Sequence, residues 1–218
     1  PRSSSAASDV YKRQRLTQSA FDGPQVGLSW SGPGTSVMDD VLVNAVQQAV
    51  EASGSGHADW ANLTVAASER VLTVQTPSSS IANVAVHLNS DDGRGIDVLG
   101  GEHVWSNITA EKAFVSSDRT SIGLNAWYSH ITVDQMTLRN FSTGALLEDS
   151  AVMAQSVEAN VGSLVGVHLI DASLVGSDLT TVVQEEGVLM EGTSTLHLST
   201  WTAQLHNCLL YTSPSPRD

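Results

Sequence analysis

Six ionisable side chains fall in two neighbouring stretches where acid and base alternate. Asp91, Asp92 and Arg94 occupy the first, and Lys112, Asp118 and Arg119 the second. Carboxylates can hold a divalent cation, and a basic group beside them can remove a proton from bound substrate. Such a set suits acid–base cleavage of a uronic polysaccharide, and calcium is possible only under that reading. The same residue types also make ordinary solvated, salt-bridged loops. No other catalytic pattern is visible. Ser-His-Asp catalysis has no local signature, and no glycine-rich phosphate loop opens a helix.

The elements that must position these residues are repeats. A phrase of six residues recurs: apolar, small, Asn-like, apolar, variable, apolar. It reads Met38 to Val43, Trp60 to Val65, Ile81 to Val86, Trp105 to Ala110 and Val133 to Leu138, with weaker copies at 164–169 and 193–198. The spacings between central positions are 22, 21, 24, 28, 31 and 29 residues, in the range of stacked structural repeats. A second, shorter phrase lies between copies, at Leu28, Val50, Leu72, Ile96 and Leu124, with glycine before the first, fourth and fifth. Period-two alternation in such short pieces means brief strands with one face inward. The fold expected is all-β, a right-handed parallel β-helix of about seven turns, in which each turn pairs with the next. Residues 37–52 could also be read as an amphipathic helix, and residues 151–162 as a strand or a short helix.

Stacking turns the repeat into columns. Met38, Trp60, Ile81, Trp105, Val133 and Leu164 form an apolar column that should fill the interior. Trp60 and Trp105 could stack on sugars, but the column favours packing. Asp40, Asn62, Asn83 and Asn107 form a polar column whose amides can bond along the axis. Asn62, Asn107 and Asn140 begin N-x-S/T sequons. A ladder asparagine turned into the stack leaves Asn140 as the glycosylation candidate, if the protein is secreted. Thr64, Thr109 and Thr137 fall on an outward column, with His168 and His197 assigned further along it. Two histidines alone do not complete a metal site, so no metal or other cofactor is expected.

Spacing places the six ionisable residues. First and second phrases are 10 residues apart in the copies at Asp40 and Asn62, but 13 after Asn83 and 17 after Asn107. The extra residues should project from one corner in two adjacent turns, where loops on a rigid scaffold commonly bind.

Residues 4–14 resemble the in-frame translation of a transposon-type sequencing adapter, and residues 208–218 that of its partner. The expected division is therefore an adapter-like tail at 1–14, a β-helix fragment at 15–207 and a second tail at 208–218. Within 15–207 there are 6 basic and 21 acidic residues, a net charge of −15. The single cysteine, Cys208, lies outside that span, so disulfides, thiolate metal sites and a cysteine nucleophile are excluded from it. Strong negative charge disfavours nucleic acid and anionic membrane surfaces. No run approaches the ~18 apolar residues of a spanning helix, so no membrane insertion is expected. A leader is not expected in a fragment cut from a longer gene.

Over residues 25–204 the repeat resembles that of the pectate-lyase-like right-handed parallel β-helix superfamily. Its members include polysaccharide lyases and hydrolases, phage tailspikes and large surface proteins without known catalysis. The run Asn89-Ser90-Asp91-Asp92-Gly93 is similar to the Asn-x-Asp signature of the polygalacturonase branch. The later Asp-Asp, Gly-His-Gly and Arg-Ile-Lys motifs of that branch do not occur after Gly93. The resemblance therefore implies a scaffold and not a reaction. The expected function is a non-catalytic segment of a larger extracellular or cell-surface protein, used for adhesion or glycan contact. The alternative is a polysaccharide lyase or hydrolase with its site on the inserted corner. Self-association through uncapped end turns is expected in either case.

Overall fold

The computed structural model describes residues 13–23, 25–114, 120–160, 164–205 and 208–213. Eighteen strands alternate between long and short. The long ones are β1 (Arg13–Asp22), β3 (Thr35–Asn44), β5 (His57–Ala67), β7 (Ser78–Leu88), β9 (Glu102–Lys112), β11 (His130–Arg139), β13 (Ala151–Asn160), β15 (Ser173–Val183) and β17 (Thr195–Leu205). The short ones are β2 (Val26–Ser31), β4 (Gln48–Ser53), β6 (Arg70–Gln75), β8 (Arg94–Leu99), β10 (Ile122–Trp127), β12 (Thr143–Glu148), β14 (Val165–Ile170), β16 (Glu186–Glu191) and β18 (Cys208–Ser213). Long strands stack in one nine-stranded sheet and short strands in another, each strand pairing in parallel with its counterpart a turn away. This is a parallel β-solenoid, and no helix occurs among the described residues.

The interior follows from alternation. Met38, Trp60, Ile81, Trp105 and Val133 stack in register along the long-strand sheet. Leu28, Val50, Leu72, Ile96 and Leu124 stack on the short-strand sheet. Trp60 and Trp105 are 1% and 2% exposed, so they are core and not sugar platforms. Their indole N–H groups, which burial would otherwise leave unpaired, donate to Ser36 Oγ at 2.9 Å and Ser79 Oγ at 2.8 Å.

Each long strand of the first five turns bends at its middle. Gln18, Asp40, Asn62, Asn83 and Asn107 occupy that corner with φ between 48° and 56°, the left-handed region that asparagine and aspartate enter most readily. Asn107 Nδ2 donates to Asn83 Oδ1 at 3.0 Å, and Asn83 Nδ2 to Asn62 Oδ1 at 3.1 Å. Asn62 Nδ2 then donates at 2.8 Å to Asp39, not Asp40. The ladder exists, but on the outside of the bend: all three asparagines are exposed. Their amides are engaged along the axis and not turned inward.

Two expectations need correction. Nine strands in each sheet give about eight turns, not about seven. The weak copies at 164–169 and 193–198 are misplaced. Register runs Gln135, Ser156, Asp178, Thr200, which restores steps of 21 and 22 residues. Residues 165–170 are the short strand β14, and the interior residue above Val133 is Ala154, not Leu164. His168 and His197 therefore lie on different sheets, and neither continues the column of Thr64, Thr109 and Thr137. The physical cause is the thinning of the core to Ala154, Ala159 and Gly176, which weakens the apolar signal that sets register. Residues 37–52 are two strands, β3 and β4, and not a helix.

Candidate functional site

The outer face of the short-strand sheet carries a bonded polar cluster and an exposed aromatic pair. Asp97 on β8 and Asn125 on β10 are register partners. Arg94 Nη1 donates to both Asp97 oxygens at 3.1 Å, and Asn125 Nδ2 donates to Oδ1 at 2.5 Å. The Asp97 side chain is 13% exposed and that of Arg94 42%. The carboxylate is thus held rigidly and its lone pairs are largely committed.

Beside this cluster, Trp127 closes β10 and Tyr128 begins the following turn. They are 43% and 59% exposed, with ring centroids 5.8 Å apart and planes inclined by 13°. The turn position of Tyr128 is one where the chain takes positive φ in most turns, at Gly32, Gly54, Gly100, Asp149, Asp171 and Gly192. Tyr128 takes φ 52° there, which costs a side chain with Cβ about 1–2 kcal/mol. Backbone strain of this kind accompanies sites where a side chain is aimed. The result is a flat, exposed aromatic surface with the Asp97–Asn125 cluster on the same face.

The expected insertions fall between β7 and β8 and between β9 and β10, in adjacent turns, with residues 115–119 of the second outside the described residues. Lys112 is fully buried; its Nζ donates to Asp91 O at 3.3 Å and lies 3.9 Å from Asp91 Oδ1. Asp91 and Lys112 are therefore brought together, and the lysine acts as an anchor under the first loop. Asp92 is exposed, while Arg94 turns away to Asp97. Asp118 and Arg119 lie outside the described residues. Among the described residues no three His, Cys, Asp or Glu side chains converge to hold a metal ion.

Asn140, the sequon candidate, is half-buried with φ 63°. Its Nδ2 donates to Lys112 O at 3.1 Å, and Phe141 and Ser142 beside it are buried. His168 Nε2 stands 3.5 Å from Glu191 Oε1 without making a hydrogen bond. His197 is exposed on the opposite sheet. Among the described residues two groups have displaced pKa values. Burial lowers that of His103, opposed by its bond to the Gly100 carbonyl and aided by the charge of His57. Bonds from the backbone and hydroxyl of Thr193 lower that of Asp171.

Sequence reasoning missed Trp127 and Tyr128. The signal was present: Trp127 shares an outward column with Leu99 and Glu148, and Tyr128 stands where neighbouring turns use glycine or aspartate. The chain was also compared with protein-family models, curated proteins and solved structures, and none matches.

Proposed function

We propose that this chain is a non-catalytic, glycan-contacting segment of a larger secreted or cell-surface β-helix protein of the pectate-lyase-like type. The observation that carries the reading is the exposed Trp127–Tyr128 stack on a rigid sheet face. A sugar ring lays its C–H face on such a surface while its hydroxyls reach neighbouring polar groups, and the apolar area covered supplies the affinity. Asn125 and Asp97 lie on the same face two residues before Trp127 and its register partner Leu99, so a ligand that extends from the stack along the strand direction meets that polar pair.

What weighs against the lyase or hydrolase alternative is occupancy. Arg94 is bonded to Asp97, and Lys112 is buried beneath a loop, so neither is placed to take a proton from a substrate on the surface. Calorimetric titration with a panel of soluble oligosaccharides tests the proposal. Binding by the 218-residue chain, lost in Trp127→Ala, supports it. Cleavage of any acidic polysaccharide in the panel, abolished by alanine at Asp91, Asp92 and Arg94, would replace it with the enzyme reading.

A further inference from the structure

The surroundings of the aromatic pair carry a preference for ligand charge, an inference that rests on the glycan reading above. Trp127 faces Glu148 on the next strand as its register partner, about 4.8 Å away in the strand-to-strand direction. Tyr128 N donates to Glu148 O at 3.1 Å, which fixes that strand end against the tyrosine. Asp149, which follows Glu148, occupies in its own turn the same positive-φ position as Tyr128, with φ 47°, and is exposed. Neither carboxylate has a Lys, Arg or His ion-pair partner among the described residues. Arg94, at the start of β8 on this sheet, has its Nη1 shared between the two Asp97 oxygens and is ion-paired there. Two electron-rich rings are thus bordered by two unpaired carboxylates, on a body whose net charge is −15.

We propose that the Trp127–Tyr128 surface takes an amine-bearing sugar polymer of the glucosamine type, and discriminates against uronic chains. An ammonium group is attracted by the ring faces and by the Glu148 and Asp149 carboxylates, while a uronate meets repulsion from the same two groups and from the field of the whole molecule. The sugar ring itself supplies the stacking area. Screening by salt weakens attraction between exposed charges, so affinity falls as salt rises.

Titrating the 218-residue chain calorimetrically with oligomers of glucosamine, N-acetylglucosamine and galacturonate tests this. The expected order is glucosamine first, N-acetylglucosamine weaker and galacturonate undetected. Glu148→Gln and Asp149→Asn should each weaken glucosamine binding by about two- to fivefold, the size of one exposed charge interaction. Neither should alter N-acetylglucosamine binding. Equal affinity for the acetylated oligomer, tight galacturonate binding, or indifference to both neutralisations overturns the charge preference. If Trp127→Ala still abolishes binding in those cases, the glycan reading survives alone. Binding unaffected by Trp127→Ala sinks both.

Discussion

Trp105 donates its indole N–H to Ser79 Oγ inside the coil, 2.8 Å away. The serine hydroxyl therefore has its proton free for His103 Nδ1, at 2.9 Å, and His103 Nε2–H is left to donate to the Gly100 carbonyl at 2.6 Å. The chain of donors assigns the tautomer: His103 is neutral, protonated on Nε2 and fully paired. Because burial depresses its pKa, the unfolded state binds a proton more readily than the folded state just below the ordinary histidine value. Stability from this residue is complete above about pH 6.5 and is lost as pH falls from there towards the folded value. The slope is bounded by one proton, about 1.4 kcal/mol per pH unit. Denaturant midpoints measured from pH 7.5 downward should show this loss, and His103→Gln should flatten it whatever its effect at neutral pH. An unchanged slope in the variant refutes the assignment.

The corner ladder makes a second prediction, because Asn83 does two jobs. It accepts from Asn107, donates to Asn62 and holds φ 53°. Asn83→Ala loses both bonds and keeps the unfavourable φ, for a cost of about 2–3 kcal/mol. Asn83→Gly loses the same bonds but tolerates the backbone, so about 1 kcal/mol should be lost. Equilibrium unfolding of the two variants separates the contributions. Equal losses would mean that backbone conformation is not why asparagine stands there.

Glycine at the second position of the short strands makes a third. A Cβ on Gly123 would lie 2.6 Å from the Gly144 carbonyl oxygen and 2.9 Å from Phe141 Cδ2. Gly123→Ala should therefore destabilise by about 1–3 kcal/mol, as overpacking does. Adding Phe141→Leu should not restore stability, since the backbone oxygen of the next turn stays in place. Full recovery in the double variant would show that the ring alone sets the limit.

The legibility of this fold tracks how apolar its columns are. From Met38 to Leu138 bulky residues repeat at the inward positions, so register, sheet assignment and the tryptophan core could all be read. Beyond Leu146 the inward positions shrink to Ala154, Ala159 and Gly176, while Val165-Gly166-Val167-His168-Leu169 imitates the long-strand phrase from within a short strand. The corner signature also lapses there, because Gln135, Ser156, Asp178 and Thr200 lack positive φ. At the corner, insertion lengths put Asp91 and Lys112 in adjacent turns, where the lysine at the end of β9 reaches the Asp91 carbonyl. The burial of Lys112 was not legible: alternation puts it on the inward face with Ile108 and Ala110, but a lysine's charge argues for an exposed position unless a partner is known. Tyr128 escaped notice because propensity argues against an aromatic residue at a left-handed turn.

The last prediction concerns association. Among the described strands, β1 and β17 terminate the long-strand sheet and β2 and β18 the short-strand sheet, each with a single paired neighbour. A strand with one neighbour offers a row of N–H and C=O groups that another edge can satisfy. At two outward positions of β17, His197 and Thr202 are exposed and supply no lysine or proline to discourage such pairing. The 218-residue chain should therefore associate end to end, its sedimentation coefficient rising with concentration. Replacing Thr202 with lysine and Leu198 with proline on the terminal strand should reduce that rise, proline by removing a ladder donor and lysine by charge repulsion. The −15 body opposes association at low salt, so the rise should steepen as salt screens it. A sedimentation coefficient independent of concentration at high salt would show that the terminal edges are not available for pairing.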